Sequence, residues 1–377
     1  MLTPESRSRD FPTLDGIAYL NTAAESIPPL CVFDAVSDYC NDKTMGMRGR
    51  DHHFARVEQC REVAARMIGL QPHEVGFCSC SSEAYNLLAS ALDLKADDEV
   101  LVTDIDFPAG ATPWLTAKVK PHVSVWKIRE GVLEVLDLLP MLTSRTRLVQ
   151  LSLISFYNGY RIPWRHVVDK IRRMAPQAII AVDVTQALGR VVLDCQDADI
   201  IISSTHKWTL GLHGGCIVGI PERNAERLTT RAGGWYHLEN AFADDRFERA
   251  VIKTGAASFS VGMPSFGPIY ALNASLRYLE EIGIEAISAH ADPLVAKADA
   301  GLRALGLTPM VKLNQDRTPT GIIAFKHPEV ARFHAALEAA EVHVMHHAGR
   351  IRVAIHGYNT EEDVDRLLGV LSECVKG

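Results

Sequence analysis

Two stretches of the chain carry a reactive side chain directly behind an apolar run: Ala181-Val182-Asp183-Val184-Thr185-Gln186 and Ile201-Ile202-Ser203-Ser204-Thr205-His206-Lys207-Trp208. Apolar runs of this kind read as strands buried on both faces, and in a parallel sheet ligands bind beyond the carboxyl ends of the strands. Asp183 and Lys207 are therefore expected at one rim. Taken alone, a carboxylate and an amine would make an ordinary ion pair. Their surroundings point elsewhere: Ser204, Thr205 and His206 are donors suited to a phosphate, and Gly211, Gly214 and Gly215 let the backbone approach a ligand closely. An amine that condenses with an aldehyde, a carboxylate that keeps a ring nitrogen protonated and donors for a phosphate are together what pyridoxal 5′-phosphate requires. The expectation is that Lys207 carries this cofactor as a Schiff base, while Asp183 holds the pyridine ring in its protonated, electron-withdrawing form.

Such a rim needs a sheet to build it. Short apolar runs alternate with helical patterns through the first two-thirds of the chain, the signature of strand-helix-strand units. Strands are expected at 74–79, 99–103, 147–152, 178–183, 199–203 and 216–220, forming a parallel α/β core. Within 54–68, Val57, Ala64, Met67 and Ile68 recur at helical spacing, and Gly69 is placed to end that helix. The last third changes character. A helix near 270–284 leads into strands near 321–326, 341–345 and 350–355 with a helix at 328–340, and Thr360-Glu361-Glu362-Asp363 opens the final helix as a capping box. The expected division is a large cofactor-binding domain over residues 15–260 and a small C-terminal α/β domain over 261–377, with residues 1–14 packing on the latter.

With 377 residues, 47% hydrophobic and 23% charged, the chain has the balance of a soluble globular protein large enough for two cores. A net charge of −7 with scattered Lys and Arg offers no footprint for nucleic acid. No run approaches the roughly 18 apolar residues of a membrane span, and residues 1–10 lack a signal-peptide core, so a cytoplasmic location is expected. The eight cysteines are expected to stay reduced.

The order of these segments resembles the class V aminotransferase family, which includes cysteine desulfurases, kynureninase and isopenicillin N epimerase. Its strand-Asp-x-x-Gln followed by Ser-x-His-Lys is similar to Asp183, Gln186, Ser204, His206 and Lys207. Leu20-Asn21-Thr22-Ala23-Ala24 resembles its N-terminal motif, and Arg352-Val353-Ala354 with Tyr358-Asn359-Thr360 and Asp363-Val364 resembles its C-terminal one. The resemblance implies fold type I of the PLP-dependent transferases: a large, mostly parallel sheet of the seven-stranded type plus a smaller C-terminal α/β domain. It also implies that Ser81 and Ser82, opening a helix, bind the cofactor phosphate together with Ser204 and His206. Phe107 would stack on the ring, Gln186 would hydrogen-bond its hydroxyl, and Asn158 is a further candidate contact. Arg352 would take the substrate carboxylate through two parallel hydrogen bonds, with Ala23 beside the substrate. A homodimer with the site at the subunit boundary follows from the same resemblance, with residues 231–236 reaching across.

The chain also departs from the pattern. Desulfurases carry a nucleophilic cysteine shortly before the C-terminal Arg motif, whereas residues 342–350 contain none and the nearest downstream thiol is Cys374, which disfavours a desulfurase. His346 and His347 are adjacent on an expected strand and would face opposite ways, so no metal is expected. Where family members supply a phosphate-binding threonine from the partner, this chain has Ala256, leaving a backbone N–H or Ser258. The reading favours an aminotransferase or a β-eliminating C–S lyase acting on an amino acid. Alternatives are an amino-acid epimerase and a non-catalytic binding or regulatory protein.

Overall fold

The computed structural model describes residues 1–311 and 319–376. After an N-terminal helix, Pro4–Asp10, a two-residue strand β1 (Ala18–Tyr19) precedes the main sheet. That sheet comprises β2 (Val75–Cys78), β3 (Glu99–Thr103), β4 (His122–Trp126), β5 (Thr146–Ser152), β6 (Ile179–Asp183), β7 (Ile200–Ser204) and β8 (Cys216–Gly219), in the order β2-β8-β7-β6-β5-β3-β4.

Alternate residues of the central strands serve two different layers. Ile180, Val182 and Ile201 pack with Val57, Val63 and Ile68 of helix Arg50–Ile68 and with Val167 and Ile171 of helix Trp164–Met174. Their neighbours Ile179, Ala181, Ile200 and Ile202 pack with Ala84, Leu87 and Leu88 of helix Ser81–Leu92. Because successive side chains of a strand point to opposite faces, a sheet covered on both sides needs apolar residues at every position, which is why these strands show no alternation. Helix Arg50–Ile68 ends at Gly69, whose φ of 72° is the left-handed cap that the sequence predicts.

Two differences from the sequence reading have simple causes. The strand at 216–220 runs antiparallel to both β7 and β2, because the chain turns back through 205–215, too short a path for the crossover that parallel pairing needs. β4 is an additional edge strand, with exposed His122 and Val125 diluting its apolar signal.

The C-terminal part forms a second core. β9 (Ile322–Lys326), β10 (Val342–His343), β11 (Met345–His347) and β12 (Arg350–Ala354) give an antiparallel sheet of order β11-β12-β9, while β10 pairs in parallel with β1. Helix Ile284–Ala304, which the sequence reading passes over, supplies Ala291, Leu294, Val295, Ala298 and Leu302 to this core, alongside Phe333 and Leu337 of helix Val330–Ala339. The final helix, Glu361–Lys376, begins at the expected cap, with Thr360 N–H donating to Asp363 Oδ2 at 3.1 Å. Arg7 of the N-terminal helix reaches the same carboxylate at 3.1 Å, tying the chain's start to its end. No described helix is long and apolar enough to cross a membrane.

Candidate active site

Strands β5, β6 and β7 are hydrogen-bonded neighbours whose carboxyl ends are level: Ser152 pairs with Asp183, and Asp183 with Ile202. Beyond them opens a cleft lined by Ser81, Phe107, Ser152, Ile154, Phe156, Asp183, Thr185, Gln186, Ser204, His206 and Lys207. Seven of the sequence-nominated residues thus meet in one place.

Asp183 is held by two donors: Thr185 N–H to Oδ1 at 2.8 Å and the Tyr85 hydroxyl to Oδ2 at 2.9 Å. Thr185 Oγ1 in turn accepts from Ser204 N–H at 3.0 Å, locking the turn after β6 to the end of β7. Burial, offset in part by Asp183, pushes the Lys207 amine down to about 8, and the Arg352 guanidinium pushes the same way as burial. Its Nζ lies 5.1 Å from the Phe107 ring centroid, where the π face offsets some of the lost solvation. Burial, reinforced by Lys207 and then His213, lowers His206 to about 4, so its imidazole is neutral at physiological pH. It stacks on His213 with ring centroids 4.2 Å apart, and His213 pairs with Glu25 at 3.1 Å.

Capture of an aldehyde needs the neutral amine. Uptake of pyridoxal phosphate by cofactor-free protein is therefore expected to accelerate through about pH 8 and level off above it, rather than near the 10.5 of a free lysine. Stopped-flow absorbance across pH 6–11 would read this, and a midpoint above about 10 would remove the electrostatic account of Lys207.

Arg352 is 2% exposed and donates Nη1–H to Phe156 O at 2.8 Å, while its buried Nε has no partner. Burial and then the adjacent Arg350 push its guanidinium down to about 10. Arg350 donates to the carbonyls of Tyr157 and His347. Among the described residues, neither arginine has a carboxylate partner. A buried cation with a hydrogen bond unmade is costly unless an anion completes it.

Other nominated residues are placed differently. Gln186 lines the cleft, but its Oε1 accepts from Trp208 Nε1 at 2.6 Å and its Nε2 donates to Ala23 O at 3.0 Å, leaving one amide hydrogen for a ligand. Ala23 thus acts through its carbonyl. Ser82 is exposed and lies outside the cleft lining. Asn158 lies outside it too: its amide braces the loop, donating to Gly131 O and accepting from Tyr160 N–H. Ser258 is buried and engaged, accepting from Thr230 N–H and donating to Gly255 O. The glycines after Lys207 make room for the protein rather than for a ligand, since a Cβ at Gly215 would lie 2.5 Å from Thr205 Oγ1 and one at Gly211 2.7 Å from Thr205 O. Glu25, His206 and His213 bring one potential ligand atom each within 4.8 Å of one another; His346 and His347 belong to no such group among the described residues.

Sequence reasoning missed Thr185, Tyr85, Gln150 and Phe156. Two carried a signal. Thr185 lies two residues after Asp183, where an aspartate side chain commonly accepts a backbone N–H. Tyr85 is four residues after Ser81, on the same helical face.

These residues fit pyridoxal phosphate. The cap residue Cys80 makes no side-chain hydrogen bond to the first turn of helix Ser81–Leu92, so N–H groups there remain for a phosphate. Toward that group Asp183 would supply the carboxylate, Lys207 the amine, and the half-exposed Phe107 a flat face. The mostly parallel sheet that presents this set at its carboxyl edge has fold type I of the PLP-dependent enzymes. The family model for aminotransferase class-V matches residues 18–367, and the chain belongs to that family. It is 26% identical to an uncharacterized aminotransferase, YcbU, of Bacillus subtilis, over 96% of this chain and 95% of that protein. Among solved structures, the apo cysteine desulfurase of Thermococcus onnurineus matches with a TM-score of 0.88 at 23% identity, covering 100% of this chain and 99% of that one. A cystine C–S lyase in complex with its product cysteine persulfide matches at 0.85 and 20% identity, covering 96% and 99%. At such identities these structures speak for the fold.

Proposed function

We propose that this enzyme acts on an amino acid whose carboxylate is taken by Arg352, and that Lys207 moves the proton of the substrate Cα, leading to transamination or to β-elimination of a sulfur substituent. The observation that carries this reading is the combination of a desolvated amine at the carboxyl end of the main sheet with a buried guanidinium, Arg352 on β12, that has no carboxylate partner among the described residues and leaves its Nε–H unsatisfied. Lys207, Asp183, Ser81, Ser204, His206, Gln186 and Phe107 would hold the cofactor. When bound, pyridoxal phosphate supplies a carbonyl that condenses with amines and a ring that accepts electrons from Cα. Lys207 Nζ, lowered to about 8, is a base matched to neutral pH. Arg352 orients the substrate so that its Cα–H faces that amine. Phe107 and Phe156, ring centroids 5.2 Å apart, wall one side of the cleft.

The test is product analysis with a panel of amino acids. Conversion of a keto acid to its amino acid marks transamination, and release of sulfide with pyruvate marks elimination. A protein that binds the cofactor yet changes its spectrum with no amino acid would overturn the reading. The loop between β10 and β12 contains no cysteine, which favours elimination without a protein persulfide over desulfuration. Residues 15–260 and 261–377 serve as the cofactor-binding and smaller domains in this reading; the distinct core under β9 and β12 supports the division, while Ile269, Leu272 and Leu276 of helix Phe266–Ile282 pack with the large core. A cytoplasmic location suits the eight free thiols.

A homodimer with the site at the subunit boundary belongs to the same proposal. Its support is large apolar side chains left in water, including Phe247 at 90% exposure, Phe242 at 84% and Met47 at 75%. Light scattering is expected to give twice the 41.5 kDa chain mass, and Phe242→Asp with Phe247→Asp to shift it to monomer. A monomeric wild type at micromolar concentration would refute this part alone.

A further inference from the structure

Asp183 receives a hydrogen bond that pairing with a ring nitrogen does not require. Tyr85, fully buried on helix Ser81–Leu92, places its hydroxyl 2.9 Å from Asp183 Oδ2, and Gln150 Nε2 lies 3.1 Å from that hydroxyl oxygen. The hydroxyl has one proton to give. Burial, and then the charge of Asp183, hold the phenol protonated, so the stronger, charge-assisted bond to the carboxylate takes that proton. Gln150 must then donate through its amide nitrogen, and its Oε1 is left buried without a partner. The chain of bonds therefore has a direction, from Gln150 to Tyr85 to Asp183. It ends on a carboxylate whose other oxygen is held by Thr185 N–H.

We propose that Tyr85, polarised by Gln150, is a positioning residue that keeps the proton between Asp183 and the cofactor ring on the ring nitrogen. The inference rests on Asp183 being the ring's partner. In a buried site, a proton between a carboxylate and a pyridine can sit on either, and low dielectric favours the uncharged pair. Each donor to the carboxylate stabilises its anionic form and returns the proton to nitrogen. Tyr85 and Thr185 tilt the balance together, and the ring stays electron-withdrawing when Lys207 takes the Cα proton.

The experiment uses holoenzyme carrying cofactor labelled with ¹⁵N in the ring, comparing wild type, Tyr85→Phe, Gln150→Leu and Asp183→Asn. Wild type is expected in the pyridinium range. Tyr85→Phe, which keeps the buried ring, should move the ¹⁵N shift toward neutral pyridine and cut kcat by about 10- to 100-fold with KM little changed. Gln150→Leu should move both in the same direction by less, and it serves if Tyr85→Phe does not fold. An unmoved ¹⁵N shift in Tyr85→Phe and Gln150→Leu overturns the inference whatever happens to kcat. If Asp183→Asn moves the shift and the Tyr85 variant does not, Tyr85 alone loses its role; if Asp183→Asn leaves it unmoved, the assignment of Asp183 itself fails.

Discussion

Lys207→Ala is expected to bind pyridoxal phosphate only reversibly, to show no protein-linked adduct after borohydride reduction, and to lose about 10³-fold or more in kcat. Two proposed functions would disappear with the one amine: covalent retention and movement of the Cα proton, the latter alone worth about 10²- to 10⁴-fold for a positioned base. Mass spectrometry of the reduced wild type should place the adduct on Lys207, and an adduct elsewhere would refute the assignment. The same substitution has an opposite effect on the fold. Burial lowers the folded-state value of Lys207 from 10.5 to about 8, so below pH 8 the folded protein carries a charge it disfavours. The pH-dependent penalty is on the order of 3 kcal/mol there, shrinks as pH rises through 8 to 10.5, and vanishes above. Cofactor-free Lys207→Ala should therefore melt no lower than cofactor-free wild type at pH 7, and any advantage should fade by pH 11. Destabilisation at pH 7 would show that the amine is stabilised by contacts outweighing its desolvation.

Removal of the Arg352 guanidinium should cost about 10²- to 10³-fold in kcat/KM, most of it in KM. Two charge-assisted hydrogen bonds to a carboxylate carry that magnitude. Arg352→Lys should recover little, because an ammonium cannot reproduce the planar fork. A second signature separates this role from a structural one. Arg352 depresses Lys207, so Arg352→Met should raise the pH midpoint of cofactor uptake above 8, by an amount that salt reduces only weakly in so buried a site. If KM stays within about threefold and the midpoint does not move, Arg352 is a brace for the Phe156 carbonyl and another group binds the substrate.

Why some of the site is legible in sequence and some is not follows from distance along the chain. Asp183 and Lys207 sit behind runs so apolar that only a strand covered on both faces could hold them, and the open end of such a strand in a parallel sheet is where ligands dock. Ser81 is readable as a helix start. Asn158 had the right neighbourhood but its amide closes a turn, which no spacing rule foretells. The reversal of β8 was hidden for a related reason: an apolar run looks the same in either direction, and only the length of the return path decides.

Local order in the chain determined the alternating architecture, the apolar strands, the helix stops and the nomination of Lys207 and Asp183 as the candidate amine and carboxylate, because each depends on a few neighbouring residues. What only the tertiary structure decided are relations across the sequence: the Tyr85 hydroxyl on Asp183, 98 residues apart, the Gln150 amide behind it, and the Arg352 side chain bonded to Phe156, 196 residues away. Lowering of the Lys207 amine belongs there too. It arises chiefly from desolvation, a property of the packed surroundings that no single stretch of residues possesses.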